Sequence, residues 1–266
     1  MKVNDRTFII SGGSSGLGLA TARELLASKA YVAVLDKKSP PSIDSNTPEA
    51  STSRLLYIDT DMMNVEMIAE AVEKAVAWTH RTGAHLAGII NCAGIGTPEP
   101  LLNAKGEPHS QSLWDRTLGV NLHGTFHLTR LAVKHLAQVP REDSSDGERG
   151  IVVMVSSTVA YEGVAGQTAY AASKGALLSM TLPMARELAR HRIRVVTLVP
   201  GPFATSIMEK LGEKVNRGIH KEALLYPRRY GNPDEFAQTV KWVLDCPMVN
   251  GENLKLTGGM RMPARM

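Results

Sequence analysis

Apolar residues in this chain fall into short continuous runs, set apart by longer stretches with helical spacing. Residues 7–10, 31–35, 55–58, 86–90, 151–155 and 193–199 are such runs, and 254–256 is a shorter last one. Runs this short, largely apolar and rich in Val and Ile, read as strands buried on both faces. Residues 17–28, 65–79, 113–138, 169–189 and 234–244 space their apolar positions as amphipathic helices do. Strand and helix alternating in this way predict an α/β fold: a doubly wound parallel sheet of about seven strands with helices on both faces.

Local signals punctuate the pattern. Ser112 precedes Leu113-Trp114-Asp115 at capping-box spacing, and Asn232 precedes Pro233 as an N-cap before a first-turn proline. Residues 37–53, 96–110 and 139–150 read as loops, the first and third polar and expected to be mobile. Helical pieces after Pro200-Gly201-Pro202 make 202–227 a candidate lid. No boundary divides the chain, so one domain is expected over 1–266, with a cofactor half to about 150 and a catalytic and substrate half beyond.

The 266 residues suffice for one large core, with 43% hydrophobic and 21% charged positions. The net charge of +4 is scattered rather than gathered in one tract, which argues against nucleic-acid binding. Cys92 and Cys246 form neither a disulfide framework nor a metal-ligand spacing, so no metal is expected and reduced thiols suit an intracellular protein. The first residues show neither a signal-peptide core nor an amphipathic presequence, and no stretch is long enough to span a bilayer. A cytoplasmic protein with no membrane partner is the expectation.

Two constellations carry chemistry. Tyr170 and Lys174 lie four apart in a helical stretch, so phenol and ammonium share a face. An ammonium beside a phenol favours the phenolate and tunes the tyrosine to exchange a proton with an alcohol or carbonyl oxygen. A bare Tyr-x-x-x-Lys spacing is equally a surface pair. The second constellation is Ser11-Gly12-Gly13-Ser14-Ser15-Gly16-Leu17-Gly18, between the first strand and first helix. Glycines at 12, 16 and 18 let the backbone approach a pyrophosphate, which the helix N-terminus then faces. Asp36, at the end of the second strand, would accept hydrogen bonds from the ribose hydroxyls of NAD and repel the 2′-phosphate of NADP. Lys37 and Lys38 beside it could offset that repulsion. The fold is therefore expected to be a Rossmann fold binding NAD in preference to NADP.

Taken together, these residues resemble the short-chain dehydrogenase/reductase family across essentially the whole chain. The marks are Gly12/Gly16/Gly18, Asn91-Cys92-Ala93-Gly94, Val120-Asn121, Ser157, Tyr170/Lys174 and Pro200-Gly201, in order and at suitable spacings. Tyr161-Glu162-Gly163, Gly166-Gln167, Met180-Thr181-Leu182-Pro183, Asn250-Gly251-Glu252 and Gly259-Met260-Arg261-Met262 are similar to the type 2 3-hydroxyacyl-CoA dehydrogenase group, which also oxidises some hydroxysteroids.

The resemblance implies roles. Tyr170 would be the general acid/base, and Lys174 would lower its pKa and hold the nicotinamide ribose. Ser157 would orient the substrate oxygen, with Ser156 the alternative. Asn121 would bend its helix and hold a water linking Lys174 to solvent, or would simply cap a helix break. Cys92 and Ala93 would line the adenosine side, Asp61 and Met62 the adenine ring, and Phe203 and Thr205 the nicotinamide end. Gly119 stands where the pattern commonly has Asp, which implies a looser local tie. A homotetramer or homodimer is implied, and the resemblance offers the mitochondrial matrix as the alternative to the cytoplasm.

The expected activity is an NAD-dependent oxidoreductase interconverting a secondary alcohol and a ketone, on a 3-hydroxyacyl-CoA or hydroxysteroid-type small molecule. Its rivals are an NADP-dependent carbonyl reductase and a non-catalytic dinucleotide sensor. Residues 158–167, the loop before Ser112 and the segment after Thr205 would form the substrate pocket. Gln167 could donate to a substrate carbonyl or be solvated at a helix start. Lys210, Lys214, Arg217 and Lys221 could meet CoA phosphates, or, interleaved with Glu209, Glu213 and Glu222, form a solvated helix face.

Overall fold

The computed structural model describes residues 1–41, 53–209, 219 and 223–262. Seven parallel strands form one sheet: β1 (Thr7–Ser11), β2 (Tyr31–Asp36), β3 (Leu55–Asp59), β4 (Leu86–Asn91), β5 (Gly150–Val155), β6 (Ile193–Pro200) and β7 (Asn253–Leu256). Each expected apolar run is one of these strands, lengthened by a residue or two.

Alternate side chains leave opposite faces of a strand. In β1, Phe8 and Ile10 therefore enter one core with Leu25 of α1 (Gly16–Ala27) and Phe236 of α8 (Pro233–Asp245). Ile9 enters the other, with Ile68 of α2 (Val65–Thr82), Leu128 of α4 (Thr125–Leu136) and Leu177 of α6 (Thr168–Ala189). The remaining helices are α3 (Gln111–Leu118), α5 (Val159–Glu162) and the single turn α7 (Ser206–Glu209).

The strand order is β3-β2-β1-β4-β5-β6-β7. The chain runs outward from β1 to β3, then returns to the other side of β1 for β4. Connections leave in opposite directions on either side of β1, and a crevice opens beyond the carboxyl ends of β1 and β4.

Several expectations need correction. The helix expected over 113–138 is α3, a π-helical segment Gly119–Gly124, and α4. Its N-cap is Ser110, not Ser112, and the Ser110 hydroxyl donates to the Glu99 carboxylate (2.8 Å) instead of capping the helix. Asn232 does cap α8, with Glu235 completing the reciprocal box. The loop at 139–150, expected to be mobile, is anchored. Arg149 donates to the Val139 carbonyl at 2.9 Å, and buried Glu148 accepts from buried Arg194 at 2.7 Å. Most of the 37–53 loop, and of the candidate lid beyond Glu209, lies outside the described residues, as do Lys210, Glu213, Lys214, Arg217, Lys221 and Glu222.

Candidate active site

The crevice is a cavity of about 610 Å3. Its floor begins at the turn after β1. Gly12 has φ +69°, and a Cβ there would lie 2.7 Å from the Ala93 backbone. A Cβ on Gly18 would lie 2.2 Å from the Gly12 carbonyl oxygen. Glycine is required at both positions, because the β1 turn, the first turn of α1 and the β4 end nearly touch. Ser15, the N-cap of α1, makes no side-chain cap, so the helix's free N–H groups remain at the cavity beside Gly16 and Leu17.

Asp36 stands at the end of β2 on the cavity edge. Its carboxylate accepts from the Ser14 N–H (3.1 Å) and the Lys38 N–H (3.3 Å). Asp61 and Met62 follow β3 on the same side. Burial works to raise the Asp61 carboxyl, but bonds from Lys37 Nζ (2.6 Å) and the Met63 N–H (2.9 Å) outweigh it and hold it below its ordinary value. Cys92, Ala93 and Gly94 line the wall after β4. Burial pushes the Cys92 thiol up to about 12, so it stays protonated and is no nucleophile.

At the other end, β5 delivers Ser156 and Ser157, and α6 delivers Tyr170 and Lys174. The two serines differ in what they touch. The Ser156 hydroxyl donates to the Lys174 carbonyl (2.8 Å), which ties β5 to α6. Ser157 Oγ instead accepts the Val159 N–H (3.3 Å), and its side chain acts on the Tyr170 phenol, lowering its pKa. Lys174 Nζ lies 5.8 Å from the centre of the Tyr170 ring and donates to the Val155 carbonyl at 2.8 Å.

The expected depression of Tyr170 by Lys174 is not what this arrangement produces. Burial raises the phenol above its ordinary value, and only the Ser157 side chain opposes it. Burial also pushes Lys174 down to about 8, and its ammonium is turned to a backbone carbonyl rather than to the phenolic oxygen.

Pro200, Gly201, Phe203 and Thr205 follow β6 and close the same end, with Thr205 Cγ2 3.3 Å from where a Gly16 Cβ would be. Thr158, Val159, Val164, Ala165 and Gln167 form the substrate side, facing Gly96–Pro98. Gln167 is not simply solvated: its Oε1 is buried and unpartnered.

Two expected residues do not reach the cavity wall. Asn91 is buried beneath it, its amide donating to Thr129 Oγ1 (3.2 Å) and the Val153 carbonyl (3.4 Å). It joins β4 to α4 and β5 rather than facing a ligand. Asn121, fully buried in the π-helical segment, accepts from the Ile95 N–H (2.8 Å). It donates to the Ile95 carbonyl (2.9 Å) and to Ser173 Oγ (3.1 Å). Both amide hydrogens are therefore used by protein. Gly119 leaves room for Met63, whose Cε lies 3.2 Å from where a Cβ would be.

Met208 and Ile219, in the segment after Thr205, and Lys37, beside Asp36, line the cavity, as do Arg116, Met63 and Met262, to which sequence reasoning assigned no place there. Met262 was within reach of a signal. It ends the Gly259–Met262 similarity, and its N–H donates to Glu162 on α5 (2.7 Å), so the described tail packs on its own chain.

Among the described residues no group of His, Cys, Asp or Glu could hold a metal, and no helix is long and apolar enough to cross a membrane. The glycine cradle fits a dinucleotide: a Cβ on Gly12 or Gly18 would meet backbone, so these close approaches exist only because the side chains are absent.

Comparison with known proteins agrees. The sequence model of the family described as short chain dehydrogenase matches residues 6–216. The human protein 3-hydroxyacyl-CoA dehydrogenase type-2 is 36% identical over 96% of this chain and 94% of its own. A solved 3-hydroxyacyl-CoA dehydrogenase type-2 from Mycobacterium avium superposes with TM-score 0.84 at 31% identity, covering 100% of both chains. A 3-ketoacyl-(acyl-carrier-protein) reductase from Brucella melitensis, solved with NADH, gives TM-score 0.78 at 25% identity over 97% of this chain and 98% of that one. With the Ser157, Tyr170 and Lys174 side chains gathered at one end of a glycine-floored crevice, the chain belongs to the short-chain dehydrogenase family, whose members are oxidoreductases that use a nicotinamide dinucleotide.

Proposed function

We propose that the protein is an NAD-dependent dehydrogenase interconverting a secondary alcohol and a ketone on a 3-hydroxyacyl-CoA or hydroxysteroid-type substrate. The observation that carries this is one continuous cavity with the glycine turn and Asp36 at one end and Ser157, Tyr170 and Lys174 at the other. The α1 N-terminus would hold the pyrophosphate, Asp36 the adenosine ribose, Asp61 and Met62 the adenine edge, and Lys174 the nicotinamide ribose. When bound, NAD supplies the hydride acceptor, and the protein supplies orientation and a proton path.

Tyr170 removes the hydroxyl proton in the oxidative direction and returns it in the reductive one. Ser157, which acts on that phenol, orients the substrate oxygen against it. Gln167 lies at the substrate side with an amide able to bond a second polar group there. Val159, Val164, Met208, Ile219 and Met262 make that side apolar, which suits an acyl chain or a sterol ring more than a charged metabolite. NAD is favoured over NADP by the Asp36 carboxylate, held toward the cavity edge by the Ser14 N–H. The assembly is proposed to be a homotetramer, or a homodimer, through the α3–α4 and α6 faces. Phe126 and Leu182 are exposed there, and light scattering tests it.

The test is a fluorescence titration with NADH, followed by turnover on 3-hydroxyacyl-CoA chain lengths, hydroxysteroids and simple alcohols. Tyr170→Phe should bind NADH normally and lose about 10²–10⁴-fold in turnover. Near-normal turnover of that variant removes Tyr170 from the chemistry, and binding without turnover on any substrate would leave a dinucleotide sensor.

A further inference from the structure

Beside Asp36, the chain places a cation where it would be expected to spoil the preference for NAD. Lys37 directly follows Asp36, so a free ammonium there would attract the 2′-phosphate that the carboxylate repels. The ammonium is engaged instead. Lys37 Nζ lies 2.6 Å from Asp61 Oδ2, while Asp61 Oδ1 accepts the Met63 N–H at 2.9 Å.

The pair follows from strand register. Asp36 of β2 is opposite Asp59 of β3, so the residues just beyond each strand end face one another across the adenosine lip. Both Lys37 and Asp61 line the cavity. Two other basic residues are near. Lys38 donates its backbone N–H to Asp36, and Arg116 of α3 lines the cavity and acts on Asp61 through space.

We propose that Asp61 sets the dinucleotide preference indirectly, by sequestering Lys37 from the 2′-phosphate position. This rests on the reading of the cavity as a dinucleotide site. Asp36 supplies the repulsion, and Asp61 removes the cation that would cancel it. Asp61 is thus a specificity-determining residue acting through Lys37.

The experiment measures dissociation constants for NADH and NADPH by fluorescence, with no substrate present. In Asp61→Asn the amide oxygen can still accept the Met63 N–H, but the lysine is released. The NADPH/NADH affinity ratio should then rise about fivefold to tenfold, the size expected of a screened surface charge. Lys37→Met alone should leave the ratio within about twofold of wild type, because a paired lysine contributes little there. The double variant should match Lys37→Met.

An unchanged ratio in Asp61→Asn overturns the proposal. So does a double variant that keeps the shift, which would make Arg116 the operative cation, or a Lys37→Met that already weakens NADPH selectively. Lys37 is largely exposed, so that variant stays readable even where Asp61→Asn folds poorly. Wild-type protein that binds neither dinucleotide would instead refute the cavity assignment itself.

Discussion

Asn121→Ala separates two accounts of the amide at the helix irregularity. The side chain is fully buried and makes three hydrogen bonds, two to the Ile95 backbone and one to Ser173 Oγ. Each is worth about 0.5–1.5 kcal/mol net, and an orphaned buried group adds about 1–3 kcal/mol. Ile95 is only half-buried, so water recovers part of that loss, and the total comes to about 2–3 kcal/mol. For a chain of this size the melting temperature should fall by about 5–10 °C.

The loss is not confined to stability. A Cβ on Gly94 would lie 3.2 Å from Lys174 Nζ and 3.3 Å from Asn121 Oδ1, so the amide, the β4–α3 loop and the ammonium meet at one point. Loosening that loop shifts the cavity wall beside Lys174, and a displacement of about 1 Å can lower turnover about 10²-fold. The assay is a thermal melt, an NADH titration and a turnover measurement on the same preparation. All three should change together. A melt and an NADH affinity equal to wild type, with turnover alone lost, would refute the positional account and favour a role in proton transfer.

Further outcomes are expected. Gly18→Ala puts a methyl 2.2 Å from a backbone oxygen that no rotamer change relieves, so it should lower the melting temperature by roughly 2–12 °C and abolish NADH binding; retained affinity would disprove the close-approach argument. Arg194→Met strips the donor from Glu148 and from the Val243, Leu244, Cys246 and Val249 carbonyls. It should destabilise by about 3–5 kcal/mol in urea titrations, while turnover per folded molecule is kept, because Arg194 sits at the end of β6 away from the site. Lys174 is held at about 8 against 10.5 for an ordinary lysine, so between those values the unfolded chain binds the extra proton. Stability from this group therefore rises with pH across that window and is lowest below it. Wild type should gain on Lys174→Met in urea midpoints between pH 7 and pH 10, and parallel midpoints would contradict it.

The strands were legible because a doubly covered sheet needs largely apolar runs, and 151–155 is apolar throughout while 193–199 is broken only by Arg194 and Thr197. The glycine turn was legible because close backbone approach excludes Cβ atoms. Features decided by distant partners were not. By spacing Ser112, with Asp115 three residues on, is the better cap, yet the helix starts after Ser110, which Glu99 holds from across the loop. The π-helical segment depends on Asn121 reaching Ile95, a contact no helical periodicity encodes. Asn91 sits inside a recognisable motif, yet its side chain turns inward to Thr129. Met262 reaches the cavity only because the tail returns to Glu162. The Tyr170–Lys174 spacing was legible, but the direction of the phenol's shift depended on burial.

That last point bears on how the site works. Two groups whose charged forms are disfavoured by burial sit side by side, and among the described residues no carboxylate shifts Lys174. An acidic partner would stabilise the ammonium permanently and neutralise its effect on the phenol. A backbone carbonyl holds the ammonium in place without adding a formal negative charge. The ammonium thus remains an uncompensated positive charge in a low-dielectric wall, where it acts strongly on whatever negative charge appears nearby. During turnover that charge would develop on the Tyr170 oxygen, on which Ser157 also acts. Ser156 fixes Lys174 from the backbone side, while the Val155 carbonyl holds its ammonium. The serine pair therefore divides two tasks, the Ser156 hydroxyl holding the helix and the Ser157 side chain acting on the phenol.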